Sequence, residues 1–193
     1  MSKRIALFSA AFGALALTAA VVAPVSAQDK MMKSEMSGEK TVMVGGAAMF
    51  PSKNIIENAV NSKDHTTLVA AVKAAGLVDT LSGKGPFTVF APTNAAFGKL
   101  PAGTVETLVK PESKATLTKI LTYHVVAGKM EAASLTDGKK LKTVEGDDLT
   151  VKLKDGKVWI VDAKGGTSMV TIANVNQSNG VIHVVDTVLM PKS

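Results

Sequence analysis

No cysteine occurs in the 193 residues. Disulfides, thiolate metal sites, a cysteine nucleophile and a lipid-bearing cysteine are therefore excluded. Arginine is nearly absent, since Arg4 is the only one. Aromatic residues make up 4% of the chain, with a single Trp and a single Tyr. Enzyme signatures are missing as well: there is no G-x-S-x-G elbow, no H-E-x-x-H, no dinucleotide fingerprint and no EF-hand loop. Ser82-Gly83-Lys84-Gly85-Pro86 superficially suggests a phosphate cradle but lacks the G-x-x-x-x-G-K-[ST] pattern. His65, His124 and His183 lie far apart, and none has the helical i, i+4 partner of a common zinc site. No metal, no cofactor and no catalytic residue is expected, and no internal repeat is visible.

What is present reads as a folded domain behind an export leader. The chain is 46% hydrophobic and 20% charged, with a formal net charge of +6. That composition is globular, and the length suits one domain of roughly 100–200 residues. Residues 1–27 begin with Lys3 and Arg4 and continue through an apolar run from Ile5 to Val22. Pro24 and the small-residue site Val25-Ser26-Ala27 follow, the layout of a secretory signal peptide cleaved after Ala27. The competing reading is an uncleaved anchor, because a run of about 18 apolar residues can span a bilayer. Cleavage would remove Arg4 and leave no bidentate guanidinium for phosphates or guanines. Nucleic acid is thus not an expected partner, and no transmembrane segment is expected after cleavage.

Residues 28–50 read as a flexible tether, polar from Gln28 to Thr41 and jointed at Gly45-Gly46. The stretch holds Met31, Met32, Met36, Met43 and Met49. Thioethers are soft ligands for Cu(I), so an extracytoplasmic metal-binding or oxidative-stress role is the alternative function. A solvated linker with idle methionines is the plainer account of the same residues.

From Pro51 the pattern becomes helical. Ile55, Ile56, Ala59 and Val60 make one apolar face. A second helix runs from about Thr66 to Ala75 with Gly76 at its C-terminus, and Leu77–Leu81 forms a further turn. Phe87–Ala91 reads as a buried strand ended by Pro92. Thr93 is positioned to N-cap a short helix over Asn94–Phe97. Helices over Thr104–Val109 and Glu112–Tyr123 follow, and His124 opens a strand. Leu149, Val151 and Leu153 alternate with Thr150, Lys152 and Lys154, a half-buried strand. Asp155-Gly156 is a two-residue hairpin turn, with Lys157–Val161 returning. Asp147-Asp148 reads as a solvated turn. Strands at Met169–Val175 and Val181–Met190 flank an Asn176–Gly180 turn. Helices early and strands late make the fold α+β.

Thr88-Val89-Phe90-Ala91-Pro92-Thr93-Asn94-Ala95-Ala96-Phe97 closely resembles the first signature of the fasciclin (FAS1) domain family. Tyr123-His124 matches that family's tyrosine-histidine motif, and Asn179 to Asp186 is similar to its second signature. The resemblance spans about residues 51–191 and implies a wedge-shaped β-sheet packed with several short helices. It also implies a secreted or periplasmic, non-catalytic module for adhesion or matrix interaction, with an envelope or matrix protein or glycan as partner. On that likeness Thr93, Asn94, Tyr123, His124, His183 and Asp186 are the candidate residues, structural first and recognition second. There is no RGD, and integrin binding is not expected. An unrecognised hydrolase is a third, weaker alternative.

Overall fold

The computed structural model describes residues 40–192. The expected leader and residues 28–39 of the expected tether lie outside the described residues. In chain order the elements are β1 (Val42–Val44), β2 (Ala47–Met49), α1 (Ile55–Ala59), α2 (Thr66–Ala75), α3 (Val78–Ser82), β3 (Phe87–Pro92), α4 (Asn94–Gly98), α5 (Thr104–Leu108) and α6 (Lys114–Tyr123). Then come β4 (Val125–Ala127), β5 (Lys140–Lys142), β6 (Asp148–Lys154), β7 (Lys157–Val161), β8 (Thr167–Gln177) and β9 (Gly180–Val185). The fold is α+β, with helices mostly before β4 and strands mostly after it.

Seven strands form one sheet in the order β4-β3-β9-β8-β7-β6-β5. Only β3 and β9 run parallel, pairing Phe87 with Gly180 through Pro92 with Val185. The sheet curls until its two ends meet: Val126 bridges Thr143, and Val144 N–H donates to the Val125 carbonyl at 2.7 Å. Successive side chains of a strand point to opposite faces, and the central strands use both faces. Val89, Ala91, Ile182 and Val184 pack toward the helices with Leu68, Val72, Leu117 and Leu121. Phe90 and Val185 point into the curl, where Leu141, Leu149, Val151 and Ile160 enclose them with Tyr123. Two cores thus share one pair of strands.

Local chemistry explains the elements. Asn54 closes a capping box on α1: its side chain accepts from Glu57 N–H at 2.9 Å, and Glu57 accepts from Asn54 N–H at 2.8 Å. Gly76 ends α2 at φ 74°, a left-handed position that suits glycine. Asp155 and Gly156 both take positive φ, 53° and 70°, as a tight turn between β6 and β7 demands.

Several expectations need correction. The part of the tether that is described is not a tether: residues 42–49 form the β1–β2 hairpin, and Val44 and Met49 are core residues at 3% exposure each. Gly45 and Gly46, with φ of 57° and 76°, are its turn and not a flexible joint. Met49 is accordingly a packing residue, while Met43 is 60% exposed. The packed unit therefore begins before Pro51. The last strand stops at Val185 and does not reach Met190, because the Asp186 carboxylate accepts the Met169 N–H at 2.9 Å where a ladder carbonyl would. Val188 and Leu189 stay buried without a ladder. Asp148 lies in β6, not in the turn, and Leu153 is 48% exposed because it sits at the hairpin tip.

Candidate functional site

Thr93 and Asn94 brace the corner where β3 enters α4. The Thr93 hydroxyl accepts the Ala96 N–H at 3.2 Å, a side-chain N-cap. Asn94 reaches back to the start of α2: its Oδ1 accepts from Thr67 N–H at 3.0 Å, and its Nδ2 donates to the Lys63 carbonyl at 2.9 Å. One amide thus ties three chain segments together.

Tyr123 and His124 are consecutive but serve opposite cores. Tyr123 is fully buried in the curl; its hydroxyl accepts from Ala163 N–H at 2.8 Å and donates to the Asp148 carbonyl at 3.3 Å. Burial pushes its phenol up to about 12, with Asp162, Asp147 and Glu145 adding to the rise against the Ala163 hydrogen bond. His124 turns the other way. Its Nδ1 donates to the Ile120 carbonyl at 2.8 Å, and its Nε2 accepts from Leu189 N–H at 3.0 Å. Those partners fix the neutral Nδ1–H tautomer. Burial lowers its pKa to about 4, only partly opposed by the Ile120 carbonyl and Asp162.

His183 is also enclosed. It stacks on Phe90 with centroids 5.7 Å apart, and its Nε2 donates to the Met130 carbonyl at 2.8 Å. Burial lowers its pKa, against the opposing pull of that carbonyl and Glu131. Asp186 lies nearer the surface. Desolvation would raise its carboxyl, but Met169 N–H, the Thr187 hydroxyl and Lys99 Nζ, 3.5 Å away, bring it below its ordinary value.

These six residues are therefore not gathered into one pocket. All six hold elements together by hydrogen bonds, and the Asn94 contacts and the Asp186–Lys99 pair lie nearest the surface. His65 is buried with Nδ1 on the Ser62 hydroxyl at 2.9 Å, while its Nε2 has no hydrogen-bond partner. It faces a small apolar cavity of about 40 Å³ that His124, Leu68, Val72 and Ile182 also line. Among the described residues, no group of three or more His, Asp and Glu side chains is arranged to hold a metal ion.

Sequence reasoning missed several buried polar residues. Asn58 is fully buried, donates to the Phe50 carbonyl at 2.8 Å, and also bonds the Gln177 side chain. Asn179 bonds Ile55 N–H, the Leu81 carbonyl and the Gly83 carbonyl with one side chain. Its place in the second signature was the available signal; Asn58 offered none, since its side-chain partner Gln177 is remote. Beside Asn179 an open polar groove of about 500 Å³ is lined by Asn54, Lys84, Lys129, Ser178 and Gly180. Cations, an amide and a hydroxyl suit it to polar or anionic groups.

The Fasciclin domain matches residues 63–191. Protein sll1483 of Synechocystis is 53% identical over 153 residues, covering 79% of this chain and 82% of the relative. Cell surface glycolipoprotein MPB83 of Mycobacterium bovis is 39% identical over 153 residues, covering 77% of this chain and 64% of the relative. Among solved structures, a FAS1 domain pair from the insect cell adhesion molecule fasciclin I superposes with a TM-score of 0.65 at 19% identity. That match covers 73% of this chain and 52% of the insect chain, and it shows the shared fold. On the family match over residues 63–191 and the relative at 53% identity, the chain belongs to the fasciclin domain family.

Proposed function

We propose that this protein is an exported, non-catalytic module that adheres to a component of the cell envelope or extracellular matrix. The observation that carries the proposal is kinship at 39% identity with a cell surface glycolipoprotein. The leader-like layout of residues 1–27 supports export. The side chains most suggestive of chemistry support a scaffold role, because Tyr123, His124 and His183 are engaged in internal hydrogen bonds. Contact then falls to exposed residues around that scaffold.

The test is retention of envelope or matrix components on the immobilised, folded protein, against a heat-unfolded control. Saturable retention by the folded form alone is expected. Equal retention by both forms, or none by either, refutes adhesion. Export is tested by the intact mass of the secreted species, expected to begin at Gln28. A full-length form embedded in membrane would refute cleavage.

A further inference from the structure

We propose that the outer face of strands β5–β7 binds an acidic, carboxylate-bearing polysaccharide. This deepens the adhesion reading above and rests on it.

Register places the residues. Lys140 pairs with Thr150 and Lys142 with Asp148, while Lys152 pairs with Trp159 and Lys154 with Lys157. Paired residues share a face, and the opposite face carries buried Leu141, Leu149, Val151 and Ile160. The lysines therefore project outward together, and all of them are exposed. Neighbours two apart on a strand lie about 7 Å apart, and diagonal neighbours such as Lys140 and Lys152 about 7–8 Å. Lys142, Lys140, Lys152, Lys154 and Lys157 thus make one continuous cationic band. Asp148 is the single acid in the paired outward set. Among the described residues, none of these lysines has an ion-pair partner, and no helix packs across the face.

Edge protection accounts for part of the band, since lysines on an edge strand such as β5 discourage pairing with other chains. It does not account for Lys154 directly opposite Lys157. Like charges in that position destabilise the sheet, and a polyanion laid along the band would relieve them.

The remaining chemistry selects the polyanion. Trp159 sits half-buried amid the lysines, with its Nε1 enclosed and part of the indole left for an apolar sugar face to pack on. Acidic polysaccharides present a series of carboxylates along one chain, the charge complement of a row of lysines. Nucleic acid is disfavoured, because a single aromatic residue offers no run of stacking platforms and the described residues contain no arginine. A bilayer is disfavoured, because among the exposed large apolar residues Met43, Val60 and Val109 lie on other elements and Leu153 alternates to the opposite side of β6, leaving Val144, just past β5, as the one beside this face.

Trp159 is the chain's only tryptophan, so its fluorescence reports on this face directly. Purified protein is titrated at low salt with polygalacturonate and, separately, with neutral dextran of similar length. The expected result is a saturable change with polygalacturonate alone, weakening as salt rises. Lys152→Glu/Lys154→Glu/Lys157→Glu should fold and bind at least about 10-fold more weakly, roughly the loss of 1.4 kcal/mol. Reversal of Lys73, Lys110 and Lys114, in and between the helices, is the charge-matched control and should bind nearly as well as the original chain. Equal loss in both triple variants overturns the proposal, as does no fluorescence change in the original chain. Tighter binding to a DNA duplex or to anionic vesicles overturns it too. If the sheet variant still retains envelope material as the original chain does, the face is wrong while adhesion stands. Loss of retention by every folded form would instead refute adhesion itself.

Discussion

His124 should make this fold sensitive to mild acid. Its ring is 2% exposed, with Nδ1–H on the Ile120 carbonyl and Nε2 accepting from Leu189 N–H. Protonating Nε2 would set two N–H groups against each other inside an apolar core. Burial is the main reason that its pKa falls from 6.5 to about 4. The folded value lies below the unfolded one, so the unfolded chain binds more protons between them. Stability is therefore complete above about pH 6.5, falls as pH drops, and levels off below about pH 4. At 1.36 kcal/mol per pKa unit, this histidine accounts for about 3 kcal/mol across that window. Urea unfolding followed by circular dichroism at pH 7.5, 6, 5 and 4 measures it. His124→Asn removes the titration. At pH 7.5 that variant should be less stable by about 1–3 kcal/mol, from lost hydrogen bonds and packing. Its stability should then decline less steeply with acid, and the gap to the original chain should shrink. Contributions from His65, His183 and Asp186 are common to both proteins and cancel. Parallel pH profiles would refute the reasoning.

Two further outcomes follow from the packing. A chain beginning at Pro51 should melt more than ~4 °C below one beginning at Gly38, about 1 kcal/mol or more, because Val44 and Met49 leave the core; equal melting would return the hairpin to linker status. Gly180→Ala should cost more than ~3 kcal/mol, since a Cβ there would overlap the Phe87 carbonyl and force β9 away from β3. Gly98→Ala, with open space around it, is the control expected to be nearly neutral in the same thermal melts.

Elements with a local cause were legible in the sequence. The α2 helix announces its end at Gly76, the β6–β7 turn announces itself as Asp155-Gly156, and Thr93 caps the helix beside it. The β1–β2 hairpin was missed for an instructive reason. Gly-Gly is equally a loose joint and a two-residue turn, and what decides is the burial of Val44 and Met49 against helices later in the chain. Such long-range packing is invisible to local periodicity. The same holds for Asn58, whose partner Gln177 lies 119 positions away. For the candidate residues, the sequence located the chemistry but not its direction: Tyr123 and His124 are adjacent, yet one points into each core.

The cationic face was hidden for a different reason. Alternation within β6 already showed Lys152 and Lys154 on one side. Only the register across β5, β6 and β7 shows that Lys140, Lys142 and Lys157 join them, with Trp159 among them. In this fold the recognisable signature and the proposed contact surface therefore occupy different residues. Thr93, Asn94, Tyr123, His124 and His183 are engaged in closing the two cores, so they mark the architecture whatever the partner is. The outward lysines close no core and make no ion pair among the described residues. They are free to be set by the partner alone.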